Sequence, residues 1–140
     1  MSAADCTFCK IARGKLAAAV VYEDPQRIAF LDHRPLFPGH CLLVPRPHYT
    51  TLVDCPDDEI GDLFVCGKRL ARAVESALRA DGFFVAINNR VSQSVPHLHV
   101  HIVPRRKKDG LKGFFWPRVP YSGKDEMERV RAAIAAGMRA

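Results

Sequence analysis

The segment 97–103 constrains this chain more than any other. Three histidines alternate along it with apolar residues: His97, Leu98, His99, Val100, His101, Ile102, Val103. Side chains on a strand point to opposite faces with a period of two, so the pattern predicts a strand with all three imidazoles on one face. Three neighbouring imidazoles are costly unless each ring is solvated, paired or bound to a ligand. The segment therefore predicts a functional site.

Three interpretations of this histidine face follow from its residues. Surface histidines on a solvated sheet are ordinary for a single residue and uncommon for three side by side. Histidines at i and i+2 of a strand can present two nitrogens to Zn²⁺, with a third ligand completing the set. A neutral imidazole can also attack phosphorus while its neighbours hold the phosphate oxygens. The residues alone leave metal binding and nucleophilic catalysis both open.

The remaining pattern predicts a single α+β domain, since 140 residues fit one core. Apolar runs bounded by turn residues predict five short strands, at 20–22, 28–31, 41–44, 83–87 and 97–103. Apolar positions with helical spacing predict one long helix over 56–80 and a C-terminal helix over 124–140, and residues 6–13 predict a short helical turn. We expect an antiparallel sheet that is covered on one face.

The amino-acid composition further limits what kind of protein this chain is and which partners it binds. Apolar residues make up 48% of the chain and charged residues 26%, as in globular proteins, and there is no membrane-length apolar run. The first residues lack the features of a secretory signal, which predicts a cytoplasmic protein. The net charge of +6 favours anionic partners. Nucleic acid is disfavoured as the main partner, because basic residues are scattered outside 105–108 and no aromatic pattern accompanies that run.

The histidine segment resembles the signature of the histidine-triad (HIT) nucleotide-binding family. Other segments resemble the family in the same order along the chain: Cys6–Ile11, Ala29–Asp32, Pro38–His40, Val44–His48 and Gln93–Val95. The resemblance covers roughly residues 5–106, so we expect one HIT domain over 1–140 with a C-terminal extension. It implies an α+β HIT-like fold and a homodimer.

The resemblance also implies a catalytic group and a nucleotide site. His99 is the implied nucleophile, and a nucleotidyl group on its ring is the implied intermediate, which water or another acceptor releases. The other implied catalytic residues are His97, His101 and His40, the last of them orienting His99 from behind. The implied nucleotide contacts are Ser94 and Asn88 near the phosphate, Asp32 on the ribose, Phe8, Ile11 and Phe30 around the base, and Gln93.

The activity implied is that of a hydrolase or transferase acting at the α-phosphate of a purine nucleotide derivative. A phosphoramidate and a dinucleoside polyphosphate both remain candidate substrates. One alternative is a zinc-containing nucleotide-binding regulator with little turnover. Another is a metal-dependent hydrolase in which the triad binds the ion directly.

Cys6 and Cys9 form a CxxC pair that offers two thiolates to a tetrahedral ion. The resemblance implies that His48 and His97 complete a structural zinc site. A redox CxxC is disfavoured because no βαβ context precedes the pair, and two free thiols remain the other interpretation. An odd total of five cysteines argues against a disulfide framework. Outside the pair, Cys41, Cys55 and Cys66 are predicted to be small packing residues.

Three features depart from the family pattern. Residues 89–92 lack the glycines that many members carry, which predicts a loop of different shape. His33 stands where the family usually has an apolar residue, so the pocket is expected to be more polar and able to read an additional phosphate. The aromatic stretch Gly113–Arg118 is a candidate cap for the site or for a dimer interface.

Overall fold

The computed structural model describes residues 2–112 and 117–139. The chain divides into two compact units, Met1–Asp109 and Gly110–Ala140. Within the described residues, no helix is long and apolar enough to span a membrane. The candidate cap at Gly113–Arg118 lies, for its residues 113–116, outside the described part of the chain.

The first unit is built on an antiparallel sheet of five strands within residues 2–109, with spatial order β1-β2-β3-β5-β4. The strands are β1 (Val20–Glu23), β2 (Arg27–Leu31), β3 (Cys41–Pro45), β4 (Gly82–Ala86) and β5 (Val100–Arg105). The helices are α1 (Thr7–Ala12), a 3₁₀ turn at Leu52–Asp54 and α2 (Asp57–Leu78). The predicted five-stranded antiparallel sheet with one long helix is confirmed.

Hydrogen bonds from the turn residues close the β1–β2 hairpin. The Asp24 carboxylate accepts the backbone N–H groups of Gln26 and Arg27, each at 2.8 Å. An aspartate that binds the backbone two and three residues ahead stabilises a tight turn. Arg46, which directly follows β3, adds longer-range bonds to the same turn: its backbone N–H donates to the Gln26 carbonyl and its Nε–H to the Asp24 carbonyl.

α2 covers one face of the sheet with the apolar stripe that its 3.6-residue period predicts. Its first turn carries Asp57, Asp58 and Glu59, whose charges complement the helix dipole. The core beneath it joins the inward side chains of α2 to those of β3 and the histidine segment: Leu63, Cys66, Leu70, Ala71, Val74, Leu43, Leu98, Val100 and Ile102. Arg79 ends the helix in the left-handed conformation, and the Arg106 guanidinium donates to the carbonyls of Leu78 and Arg79.

The opposite face of the sheet is also covered, which differs from the sequence expectation. α1 packs there in a second apolar cluster, made of Cys6, Phe8, Cys9, Ile11, Ile28, Phe30, Leu42 and Val44. A six-residue helix carries too weak a periodic signal to show from sequence that it buries a sheet face. This second cluster lies on the histidine side of the sheet.

β5 begins at Val100, three residues after the predicted start of the strand at His97. The preceding residues are held by other backbone bonds, with Leu98 N–H donating to the Tyr49 carbonyl and His97 N–H to that of Val95. Leu98, Val100 and Ile102 nevertheless all enter the core beneath α2. The predicted alternation of faces therefore holds beyond the hydrogen-bonded ladder.

The second unit contains the C-terminal helix that the sequence predicts, α3 (Lys124–Met138). The Ser122 backbone N–H donates to the carboxylate of Glu126, which anchors its first turn. Two of the apolar residues whose spacing predicts this helix, Ile134 and Met138, are exposed by 64% and 82%.

Candidate active site and metal centre

The three triad histidines lie on the sheet face opposite to α2. His97 and His99 are 0% and 2% exposed, and His101 is half-buried. Solvated surface histidines are therefore ruled out for the first two. Each ring has a defined hydrogen-bond partner, and those partners decide which nitrogen each imidazole presents.

His97 directs its ring at the two cysteines of the CxxC pair. Its Nε2–H donates to the Pro45 carbonyl at 2.8 Å, which leaves Nδ1 as the nitrogen with a lone pair. That Nδ1 lies 3.5 Å from Cys6 Sγ and 3.4 Å from Cys9 Sγ. His48 approaches from the other side, with its Nδ1 3.3 Å from Cys9 Sγ. The ligand atoms of these four residues all lie within 4.8 Å of one another.

This cluster fits a tetrahedral zinc ion. Bonds of about 2.3 Å to sulfur and about 2.0 Å to nitrogen place neighbouring S and N ligands about 3.5 Å apart, close to the separations found between Sγ and Nδ1. Burial raises the pKa of the Cys9 thiol to about 11, so a thiolate there requires a nearby cation. The Pro45 carbonyl orients His97 as outer-shell acceptors orient metal-binding histidines. The donor set and its surroundings therefore suit Zn²⁺.

His99 is held with the opposite ring nitrogen unprotonated. Its Nδ1 donates to the main-chain carbonyl of His97 at 2.7 Å, so Nε2 carries the lone pair of the neutral ring. Burial lowers the pKa of His99, which keeps the ring neutral at pH 7. Phe8 packs edge-on against it, with ring centroids 5.0 Å apart. This arrangement presents an unprotonated nucleophilic nitrogen.

His101 is held in the complementary state by a chain of hydrogen bonds. The backbone N–H of Leu36 donates to His40 Nδ1 at 3.1 Å, so a neutral His40 carries its proton on Nε2. That Nε2 lies 2.9 Å from His101 Nδ1 and donates to it, which places the proton of His101 on Nε2. Burial lowers the pKa of His40, and lowers that of His101 to about 4. His101 is therefore a neutral hydrogen-bond donor. The ring that His40 orients is His101, rather than His99 as the resemblance implied.

A cleft of about 580 Å³ brings His99 and His101 together with six other residues that the sequence singles out. The residues singled out from sequence that line it are Phe8, Ile11, Phe30, Asp32, His33, Ser94, His99 and His101. Sequence reasoning missed the other lining residues, which are Thr7, Leu16, Ala17, Ala18, Ala19, Leu31, Leu42 and Val95. The segment 16–19, one leucine followed by three alanines, matches no motif and gives no periodic signal. Leu42 could have been suspected, because β3 is apolar on both faces and one of them must face the site.

Two predicted nucleotide ligands lie outside the cleft lining. Asn88 is exposed. Gln93 uses its side chain on the main chain, donating to the Thr50 carbonyl at 2.6 Å and accepting the Arg90 N–H at 2.8 Å. Asn88 and Gln93 flank the loop 89–92, which lacks glycines and in which Arg90 and Ser92 adopt φ values of 69° and 59°. Non-glycine residues in this region are strained by roughly 1 kcal/mol each.

The described lining of the cleft carries no Lys or Arg side chain. Its acidic group is Asp32, which accepts the Arg34 N–H at 2.9 Å. The second carboxylate oxygen lies 3.7 Å from His40 Nε2, and the side chain of His33, 90% exposed, lies 3.9 Å from the first. Among the described lining residues, the carboxylate of Asp32 is therefore not offset by a Lys or Arg side chain.

A family model for the HIT domain matches residues 13–108, which include the triad strand, the long helix and most of the cleft. The chain belongs to the HIT family. An uncharacterised HIT-like protein of Methanocaldococcus jannaschii is 45% identical over 107 residues, covering 75% of this chain and 82% of that protein.

Two HIT relatives have names that state an activity. An adenosine 5'-monophosphoramidase of Saccharomyces cerevisiae is 37% identical over 111 residues, covering 77% of this chain and 68% of that enzyme. An adenylylsulfatase of Arabidopsis thaliana is 36% identical over 109 residues, covering 76% of this chain and 55% of that enzyme.

Solved structures confirm the HIT-like fold. A HIT family member from Bacillus subtilis superposes with a TM-score of 0.84 at 31% identity, covering 94% of this chain and 96% of that one. A Zn-bound histidine triad family protein from Mycobacterium smegmatis has a TM-score of 0.74 at 36% identity, covering 96% of each chain.

Proposed function

We propose that this HIT protein is a nucleotide hydrolase or nucleotidyl transferase that acts at the α-phosphate of a purine nucleotide derivative through a nucleotidyl-His99 intermediate. The pairing of tautomers carries the proposal: His99 presents a bare Nε2 beside the Nε2–H of His101 in one cleft. The named activities of the yeast and plant relatives, both at an adenylyl phosphate, support the same reaction class.

The reaction proceeds in two displacements at one phosphorus atom. His99 Nε2 attacks, so that a P–N bond forms as the bond to the leaving group breaks; water or another acceptor then attacks and frees His99. The His101 Nε2–H and the Ser94 hydroxyl donate hydrogen bonds to the non-bridging oxygens as their charge increases. Because His40 fixes the tautomer of His101, this donor is oriented before the substrate arrives.

The charge of the cleft favours one class of leaving group. The described lining residues include no Lys or Arg, and burial keeps His99 and His101 neutral. Several phosphate charges would enter such a cleft without a cation to offset their desolvation. A single α-phosphate with an uncharged leaving group, as in a nucleoside phosphoramidate, suits it better than a polyphosphate chain.

The rest of the cleft suits a nucleoside. Asp32 is a carboxylate acceptor for the ribose hydroxyls, and Phe8, Ile11 and Phe30 form an apolar wall for a flat base. A wall without charged side chains selects by size and shape, which favours purines. Asn88 near the phosphate and Gln93, through the shape of the loop that it holds, remain parts of the proposal.

Zinc and a second subunit complete the proposed assembly. Zinc held by Cys6, Cys9, His48 and His97 would supply a structural cross-link between α1 and the catalytic segment. For a homodimer, the candidate contact is β4, an edge strand among the described strands. Its Phe83 and Val85 are 48% and 41% exposed and it carries no charged residue, features that leave an edge open to pairing.

Intact-mass spectrometry after rapid quench with adenosine 5'-phosphoramidate tests the mechanism. Wild-type protein should gain the mass of one adenylyl group, and His99→Ala should gain none while retaining its zinc and its circular dichroism spectrum. Cleavage without an adduct would instead favour direct attack by water at a triad-bound metal. Nucleotide binding without cleavage would favour the zinc-containing regulator.

A further inference from the structure

α1 belongs at once to the metal centre and to the nucleotide cleft. Cys6 directly precedes it and Cys9 lies within it, while Thr7, Phe8 and Ile11 of the same segment line the cleft. With six residues, no side-chain N-cap bond and no acidic residue in its first turn, α1 lacks the means to be stable alone. Its position therefore depends on what anchors it, and the two sulfur atoms are anchors at its beginning and middle.

Phe8 links the metal centre to the nucleophile through side-chain packing. It lies between the two cysteines in sequence and is 6% exposed. Its ring packs edge-on against His99 at 5.0 Å and against Phe30 at 5.4 Å. A shift of either sulfur atom consequently moves the ring that fixes one side of the His99 imidazole.

His97 provides a second link, through the main chain. Its ring presents Nδ1 to both sulfur atoms, and its carbonyl oxygen accepts the Nδ1–H of His99 at 2.7 Å. One residue thus takes part in the metal centre with its side chain and fixes the tautomer of the nucleophile with its backbone. A change in the position of this ring is transmitted to the acceptor that keeps His99 Nε2 unprotonated.

We propose that metal occupancy of the Cys6, Cys9, His48, His97 site and nucleotide binding in the cleft are positively coupled through Phe8 and His97. The metal then positions the nucleophile and the base wall in addition to stabilising the fold. Thermodynamic linkage requires the coupling to be reciprocal, so bound nucleotide raises metal affinity by the same factor. The inference rests on the proposed function, since it needs both a metal site and a nucleotide site.

Two affinities measured on the whole 140-residue chain test the coupling. Isothermal titration with AMP, before and after removal of zinc by a chelator, should show at least about tenfold weaker binding to the metal-free protein. Competition with a chromophoric chelator should show zinc bound more tightly by the same factor at saturating AMP. Cys66→Ala is the matched control, because it removes a buried thiol on the inner face of α2, outside the metal cluster and the cleft lining, and should leave both factors unchanged.

Phe8→Leu separates this coupling from a general effect of zinc on folding. We expect the variant to retain zinc while its coupling factor falls to about threefold or less. In parallel, nitrogen-15 spectra should show His99 as a single tautomer in the zinc-loaded protein and as a mixture without zinc. Equal AMP affinity with and without zinc, or an unchanged coupling factor in Phe8→Leu, would overturn the inference. Failure to bind either AMP or zinc at all would instead overturn the proposed function.

Discussion

The two ends of the histidine segment use the same side chain for different purposes. At the closed end, His97 is fully buried and both of its ring nitrogens face protein atoms, the Pro45 carbonyl and the two thiols. At the open end, His99 and His101 line a cleft of about 580 Å³, and each is hydrogen-bonded to the protein through its Nδ1. The hydrogen-bond partners of each ring, rather than the residue type, therefore decide its chemistry.

The largest expected effect is on catalysis and comes from a change at the open end. His99→Ala should lower kcat/KM for adenosine phosphoramidate by roughly 10⁴-fold, because it removes the attacking atom. Zinc content and the melting temperature should change little, since the zinc ligands remain. Steady-state kinetics and elemental analysis check this. A variant as active as the wild type would contradict the assignment of His99 as the attacking residue.

Disruption of the closed end should primarily affect stability. Cys9→Ala leaves buried ligands without their ion, so we expect loss of zinc and about 3 kcal/mol less free energy of unfolding. Urea titrations with metal analysis measure both quantities. Cys66→Ala, a buried thiol outside the site, should retain zinc and lose only about 1 kcal/mol. Similar zinc contents in the two variants would contradict the assignment of the ligands.

The orientation of His101 at the open end can be tested through His40, which contacts His101 and does not line the cleft. His40→Leu removes the donor to His101 Nδ1, so His101 is free to adopt the tautomer that cannot donate to phosphate. We expect kcat to fall by roughly 10–100-fold with KM little changed, as is typical for loss of such a supporting contact. His40→Gln can restore a donor, and partial recovery of kcat would separate positioning from simple packing.

The pH dependence follows from burial of the open-end histidines. Because the pKa values of His99 and His101 are lowered on folding, the folded protein binds fewer protons at these rings than the unfolded chain does. Their contribution to the free energy of unfolding is therefore fully present above about pH 6.5, the ordinary pKa of histidine. That contribution is lost as the pH falls towards 4, the pKa of His101. The value of kcat/KM should stay level from pH 8 down to 6.5 and decline only below. A decline already centred at pH 6.5 would contradict a buried, neutral His99.

The smallest expected effect concerns the loop beside the cleft. Arg90 adopts a φ of 69°, where glycine is unstrained, so Arg90→Gly should raise the free energy of unfolding by about 0.5 kcal/mol after the entropy of the unfolded chain is included. Chemical denaturation measures the change. Neither zinc content nor kcat should respond, since Arg90 is absent from the metal cluster and from the cleft lining. A large fall in kcat would show that the strained conformation of this loop helps to position His99 and His101.

Much of the architecture could be predicted because apolar residues repeat at short, regular intervals along the chain. The stripe of α2 and the alternation of Leu98, Val100 and Ile102 with the histidines follow from repeats of 3.6 and two residues. The start of β5 could not be predicted, because Leu98 finds its hydrogen-bond partner in Tyr49, on a distant loop. The second covered face was missed for a similar reason, since α1 is too short for a clear period.

The sequence by itself determined that three imidazoles share one face, that a CxxC pair is present and that a long helix covers the other face, because neighbouring residues encode each of these features. Only the tertiary structure decided that Cys6 meets His97 across 91 positions, and that His40 holds His101 across 61. It also decided which nitrogen each ring presents. Such contacts depend on strand order and on the paths of loops, and the carbonyls that fix the tautomers are the same backbone group in every residue, so no side-chain pattern can specify them.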